Sequence, residues 1–246
     1  MPREINKNID VYIRHFKKLI NRLRDYKLDE EDRILKKNIL VSIIDAISRT
    51  TSNYNDGNRA RFTSIIENFG DWENSTRVSA PHVGYLLKNL NSPSYEKARD
   101  FITQTISKNS DGSLIELSDD PKLEDLKKYW PVSAEQKLVN QLSLSSFTHL
   151  NLFYSYRNSL VHELREPGYG MEFHNEHESP FYHGLTSFDE NDMNGESTLE
   201  LVYPLKFYFS LTDNIIDNVE KYLRKNQINP YKSYSFGSSW LGELNI

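Results

Sequence analysis

Apolar residues recur at intervals of three and four along most of this chain. In the first segment Ile9, Ile13, Phe16, Ile20 and Leu23 follow this spacing, with lysines and arginines between them. Such spacing places apolar side chains on one face of an α-helix. The sequence therefore predicts a mainly helical protein, and the same helical signal returns over residues 28–53, 57–72, 80–108, 133–166 and 204–226.

The segment 133–166 is predicted to form one long helix. Ser133 is followed three residues later by Gln136, which is a capping-box pattern, and no proline or glycine occurs until Pro167 and Gly168. The basic segment 1–28 is predicted to form the first helix, and 204–226 the last. All of these elements are assigned to a single helical domain over 1–246, with a patternless tail at 227–246.

Residues 168–203 differ in composition from the rest of the chain. They are rich in glycine, acidic residues and histidine, and the sequences GMEFH and TLELVY at their two ends alternate between apolar and polar residues. Alternation of this kind is typical of strands. We expect a small β-hairpin insertion before the last helix.

The composition excludes several classes of site. The 246 residues include no cysteine, which rules out disulfides, thiolate nucleophiles and zinc–thiolate centres. No apolar run approaches the roughly 20 residues of a membrane-spanning helix, and the N-terminus lacks the apolar run of a secretory signal. We therefore expect a cytoplasmic protein with no membrane partner. A net charge of −5 argues against non-specific coating of nucleic acid, although a local basic patch is compatible with it.

Arg157, Asn158 and His162 lie close together near the end of the predicted 133–166 helix. Asn158 and His162 are four residues apart and share a helix face, so we expect the Asn158 side chain to hydrogen-bond the imidazole. Arg157 and His162 are five residues apart, which separates them by about 140° around the helix. All three are candidate catalytic residues.

The chemistry of this trio suits RNA cleavage without metal. A histidine transfers protons near neutral pH, and a guanidinium binds a phosphate oxyanion. The histidine would assist attack by the ribose 2′-hydroxyl or protonate the leaving 5′-oxygen, and the arginine would stabilise the developing charge. The structural alternative is an ordinary helix end, because the helix dipole also favours basic residues there.

The stretch YRNSLVHE at 156–163 resembles the signature of the HEPN family (higher eukaryotes and prokaryotes nucleotide-binding), whose catalytic members carry Arg, a polar residue and then His in an Arg-x4-His pattern. The resemblance implies a HEPN-like helical bundle, here with extra N-terminal helices. It also implies a homodimer in which two motifs form one composite, metal-independent endoribonuclease site without a cofactor.

Relatives of this kind act mostly as toxins, anti-phage effectors and RNA-processing enzymes. The resemblance thus implies RNA as substrate and an antitoxin or regulatory protein as a possible partner. The alternative function is a catalytically inactive HEPN module that binds and regulates a nucleotide or protein partner.

Further residues are weaker candidates for substrate binding or for a metal site. The substrate-binding candidates are Tyr154, Lys17, Lys18, Arg59 and Arg61. Each has a structural alternative, because charged helix faces are commonly just solvated. A divalent metal is a competing hypothesis for the insertion, whose nitrogen and oxygen donors are His174, His177, His183, Glu172, Glu176 and Glu178. Their spacing matches no closed zinc motif, so the leading interpretation includes no metal.

Overall fold

The computed structural model of the protein describes residues 2–26, 32–52, 56–90, 92–107, 114–168, 170, 172, 177–189 and 192–233. The chain is mainly helical and contains a small three-stranded antiparallel sheet, as the apolar periodicity predicts. It divides into two compact units, one formed by Met1–Asp71 with Phe209–Ile246 and the other by Trp72–Tyr208.

The first unit contains three N-terminal helices and most of the last helix. These are α1 (Pro2–Asp25), α2 (Arg33–Ser48), α3 (Asn58–Phe69) and α8 (Leu205–Asn226), whose first four residues belong to the second unit. The predicted first and last helices are confirmed. The apolar face of α1 is buried, as its spacing predicts. Two of its cations pair with α8, Lys17 with Asp217 at 2.7 Å and Arg24 with Asp213 at 2.6 Å.

The second unit packs short helices around its own apolar core. They are α4 (Ala80–Lys88), α5 (Glu96–Ser107), α6 (Leu123–Lys127) and α7 (His149–Glu163). A short 3-10 helix, Pro93–Tyr95, separates α4 from α5, since a proline is tolerated at a helix start and not in a helix interior. The core includes Val83, Leu86, Leu87, Tyr95, Ala98, Ile102, Trp130, Leu144 and Phe147.

The sheet also belongs to the second unit. Its strands are β1 (Ile115–Glu116), β2 (Phe181–Asp189) and β3 (Asp192–Val202), in the order β1-β2-β3, with Tyr182 opposite both Ile115 and Leu201. The predicted insertion therefore contains a hairpin, and TLELVY supplies its second strand. The first strand is β2 rather than GMEFH, of which residues 171, 173 and 174 lie outside the described residues.

The prediction of one long helix over 133–166 is wrong in its first half. Helix α7 begins at His149, and the preceding residues form only short 3-10 helices at Val139–Gln141 and Leu144–Phe147. Serine hydroxyls explain the difference. Those of Ser143 and Ser146 bond to each other, and Ser146 Oγ accepts the Ser143 backbone amide, so these side chains compete with helical bonding. Thr148 then caps α7 by accepting a hydrogen bond from the Asn151 amide.

Candidate active site

Arg157 and Asn158 form one half of the motif on α7. The partly buried Arg157 donates a hydrogen bond from Nη1 to Asn158 Oδ1 at 3.0 Å. Its Cζ atom also lies 5.9 Å from the centroid of the Tyr154 ring, within cation–π range. Asn158 and Tyr154, both on α7, thus contact the guanidinium.

His162 forms the other half and is exposed to solvent. Among the described residues, none forms a hydrogen bond or ion pair with its imidazole. The expected Asn158–His162 hydrogen bond is therefore wrong, because Asn158 instead accepts a charge-assisted bond from the guanidinium, which is the stronger donor. The helix ends one residue later, and Leu164 takes a left-handed conformation with φ 52°.

Arg157 and His162 do not share a face of an ideal helix. An ideal helix separates them by about 140° around its axis and about 7.5 Å along it. Arg157 is partly buried and His162 is exposed. The arrangement can bind a phosphate through Arg157 or move a proton through His162, but one helix does not direct both groups at the same atom.

A buried carboxylate fixes the start of α7. Asp120 is only 4% exposed, and its Oδ2 lies 2.7 Å from His149 Nε2 and 2.6 Å from the Tyr182 hydroxyl oxygen. Its Oδ1 accepts the backbone amide of Ala80 at 2.9 Å. A buried carboxylate is stable only when such bonds replace its lost hydration. Asp120 thus joins the first residues of α4 and α7 to strand β2.

The hydrogen bonds continue from Asp120 to a second histidine. Tyr182 has one proton to donate and Asp120 can only accept, so that proton lies on the Asp120 contact. Ser79 must then donate its hydroxyl proton to the Tyr182 oxygen, 2.7 Å away. Ser79 Oγ in turn accepts a hydrogen bond from His82 Nδ1 at 2.6 Å. This chain fixes the His82 tautomer and leaves Nε2 as an acceptor.

Burial sets the protonation of the chain. Burial lowers the pKa of His82, and the neighbouring His149 lowers it further, so His82 is neutral near pH 7. Burial and the adjacent Asp120 carboxylate raise the pKa of Tyr182, which keeps its proton. Asp120, Tyr182, Ser79 and His82 are linked by successive hydrogen bonds, so each bond polarises and strengthens the next.

A cavity of about 280 Å³ lies beside α7 and ends at His82. Its polar lining consists of His82, Ser155, Ser159 and Glu200, together with the Tyr156 side chain. Ser155 and Ser159 lie on one stripe of α7, four residues apart, and His162 continues that stripe three residues later. The cavity and the exposed imidazole therefore share one side of the helix.

The weaker substrate-binding candidates are distributed over both units. Tyr154 lies beside Arg157, but Lys17 and Arg61 have structural roles. Lys17 is held by Asp217 and Glu220, and Arg61 donates to the Asp56 carbonyl at 2.6 Å and to the Asn58 side chain. Both fit the structural alternative better than a phosphate contact. Lys18 and Arg59 are exposed.

Glu172 and Glu178, two of the candidate metal donors of the insertion, make other polar contacts. Glu172 Oε1 accepts the backbone amide of Leu205 at 2.9 Å and so caps α8, and Glu178 lies 3.9 Å from Lys206. His183 is buried. Within the described part of the chain, no three histidine or acidic side chains are grouped closely enough to hold a metal ion. His174 and Glu176 lie outside the described residues.

No sequence pattern predicted the hydrogen-bond chain that runs from His149 and Asp120 to His82. Its members are Ser79, His82, Asp120, His149 and Tyr182, which come from two helices or their caps, a loop and a strand. The one local signal is Ser79, which precedes Ala80 and Pro81 in the way typical of a helix N-cap. The other partners are far apart in sequence, so no spacing rule connects them.

Comparisons of the chain with protein-family models, with curated proteins and with solved structures gave no match. In the ranges that the structure describes, no helix is both long and apolar enough to cross a membrane.

Replacing Asp120 with Asn should destabilise the second unit strongly. The substitution removes the buried charge that accepts from Tyr182 and His149, and breaking a buried charged network costs about 3–5 kcal/mol. The free energy of unfolding, measured in urea, should fall by a large part of that amount. The neighbouring Asp119 is exposed, so Asp119→Asn is the matched control and should change stability by less than about 0.5 kcal/mol. Equal effects of the two substitutions would contradict the role of Asp120.

His82 should make stability depend on pH below its ordinary pKa of 6.5. The pKa of His82 is lower in the folded protein, so below pH 6.5 the unfolded state binds more protons and stability falls as pH decreases. The charged or titratable groups acting on the ring are His149, Asp120 and Glu200. Urea unfolding at pH 7, 6 and 5.5 should give a smaller loss of stability for His82→Gln than for the parent protein. Parallel pH profiles would contradict the neutral state of the partly buried His82.

Proposed function

We propose that the protein is a metal-independent endoribonuclease of HEPN type, with Arg157 and His162 as catalytic residues. One observation supports this most strongly. The Arg157 guanidinium donates a hydrogen bond to Asn158, and the exposed His162 follows five residues later on the same helix. Asn158 is thus a positioning residue for Arg157. Tyr154 assists in the same way through its ring.

The proposed reaction is an internal displacement at phosphorus. The ribose 2′-oxygen attacks the adjacent phosphorus, the bond from phosphorus to the 5′-oxygen breaks, and a 2′,3′-cyclic phosphate and a 5′-hydroxyl are formed. His162 removes the 2′-hydroxyl proton or delivers a proton to the leaving 5′-oxygen. Arg157 stabilises the negative charge that accumulates on the phosphoryl oxygens. DNA lacks the attacking hydroxyl, so the reaction selects RNA.

A homodimer resolves the separation of the two side chains. Since Arg157 and His162 lie about 140° apart around α7, a single helix does not direct both at one phosphate. A second copy related by a two-fold axis supplies the missing group, because each α7 then contributes its arginine to the other's histidine. We place this activity in a toxin or anti-phage defence setting, with an antitoxin or regulatory protein as partner.

Arg157→Ala and His162→Ala should each reduce RNA cleavage in EDTA by about 10²-fold or more, since each removes a group acting in the transition state. Cleavage of a labelled RNA measures the loss. Arg165→Ala is the matched control, because Arg165 is an exposed arginine near the helix end that pairs with Glu163 at 2.5 Å. It should retain activity. Cleavage that requires Mg²⁺, or that persists in both motif variants, would contradict the mechanism.

Mixing the two inactive variants tests whether the site is shared. After subunit exchange, half of the dimers contain one chain of each variant, and one of the two arginine–histidine pairs of their composite site is then intact. Activity should return to about a quarter of that of the parent protein. No recovery, despite verified exchange, would show that Arg157 and His162 act within one chain.

The second candidate function is a non-catalytic module of the same family that binds a nucleotide or protein partner. The cavity beside α7 favours it, because that cavity offers a binding site that does not depend on catalysis. This function predicts no RNA cleavage at any protein concentration.

A further inference from the structure

We infer that the cavity beside α7 is a base-binding subsite, formed by Glu200, His82, Ser155 and Ser159, that prefers guanine. As an RNA subsite it rests on the proposed function, and it specifies which base the enzyme would hold next to the cleaved bond. The inference is supported by the position, the chemistry and the size of the cavity.

The position follows from the spacing along α7. Ser155, Ser159 and His162 occupy one stripe, and His162 is about 4.5 Å beyond Ser159 along the helix axis. A nucleotide with its phosphate at the exposed His162 imidazole therefore has the cavity on the same side of the helix, less than one turn away. The ribose bridges the two, with the base directed inward.

The chemistry of the lining favours a ligand rich in N–H donors. Glu200 supplies a carboxylate, and its Oε1 already accepts from the Thr198 hydroxyl at 2.9 Å, which restrains it. His82 supplies Nε2 as an acceptor, because its Nδ1 is used by Ser79. Ser155 donates to the Asn151 carbonyl at 3.2 Å, so its oxygen is left to accept. Three acceptors thus line one small space.

The same lining disfavours a phosphate group. The described residues around the cavity include no lysine or arginine, and Glu200 would repel an anion. Apolar side chains of Leu152, Leu199 and Leu201 complete the surface and suit a flat ring. The phosphate of a bound nucleotide therefore belongs outside the cavity, where His162 lies.

Among the RNA bases, guanine fits this set of acceptors best. Its Watson–Crick edge carries two adjacent N–H donors, which match a carboxylate, whereas adenine, cytosine and uracil place at most one donor group beside an acceptor. The guanine carbonyl can accept from the Ser159 hydroxyl. A site built around such hydrogen bonds rejects bases that leave its polar groups unpaired.

The size of the cavity and the turn at Gly168 in its lining also fit a single base. Its volume of about 280 Å³ lies just below the usual range for drug-sized ligands, roughly 300–1,000 Å³. Gly168 lines it in a left-handed conformation, with φ 78°, which L side chains rarely adopt. Glycine is therefore favoured at this position of the lining.

Nucleoside binding tests the inference without relying on cleavage. Guanosine, adenosine, cytidine and uridine, which carry no phosphate, would be titrated into the full-length His162→Ala protein by calorimetry. Guanosine should bind at least about 10-fold more tightly than the other three. Adding Glu200→Gln should weaken guanosine binding by about 10-fold or more, which is the value of a hydrogen bond to a charged group. Ser159→Leu should abolish binding by filling the cavity.

The matched control is Glu116→Gln. Glu116 is an exposed strand carboxylate that accepts from the hydroxyl of Ser118, two residues away, as Glu200 does from Thr198. It should leave guanosine affinity unchanged, and urea unfolding would verify that all variants fold. Equal affinity for the four nucleosides, no binding of any, or an unchanged affinity in Glu200→Gln would overturn the inference.

The ribonuclease activity and the base-binding site can be rejected independently of each other. Guanosine binding by a protein that cleaves no RNA would support the base-binding site and reject the ribonuclease. Metal-free RNA cleavage by a protein that does not discriminate guanosine would reject the base-binding site alone.

Discussion

The buried carboxylate of Asp120 is the constraint on which the organisation of the second unit depends. At 4% exposure, an ionised carboxylate is tolerated only when hydrogen bonds replace water, and Asp120 has three such bonds. Their donors are Ala80 at the start of α4, His149 at the start of α7 and Tyr182 in β2. Moving any one of these elements would leave the buried Asp120 carboxylate without one of its hydrogen-bond donors. The network therefore specifies one arrangement of two helices and a strand.

The same network relates to both parts of the candidate site. Asp120 anchors α7 at its first residue, His149, and the motif follows in the second half of the helix, with partly buried Arg157 and exposed His162. The chain of hydrogen bonds that leaves Asp120 through Tyr182 and Ser79 ends at His82, which lines the cavity. Burial lowers the pKa of His82 and keeps it neutral, so the cavity presents an acceptor there. One buried charge thus supports both the orientation of the helix and the polarity of the cavity beside it.

Local rules predicted the parts of this structure that depend on local periodicity. The amphipathic spacing located α1 and α8, and the alternation in TLELVY located the last five residues of the strand that precedes α8. They failed where side-chain hydroxyls compete with the backbone, so the serine-rich residues before His149 are not part of α7. Helix spacing also predicted the wrong partner for Asn158. It does not reveal that Asn158 Oδ1 accepts a hydrogen bond from the Arg157 guanidinium. The contacts among Ser79, Asp120, His149 and Tyr182 form only after tertiary folding, and no sequence spacing encodes them.

The central claim is that RNA is cleaved through its own 2′-hydroxyl at the Arg157–His162 site, without metal. The most direct measurement uses an RNA oligonucleotide with one cleavage position, in EDTA, beside the same oligonucleotide with a 2′-deoxyribose immediately 5′ to the cleaved phosphate. The account predicts cleavage of the first to a 2′,3′-cyclic phosphate and a 5′-hydroxyl, and no cleavage at that position of the second. Cleavage of the deoxy-substituted position, or products with a 5′-phosphate, would contradict it.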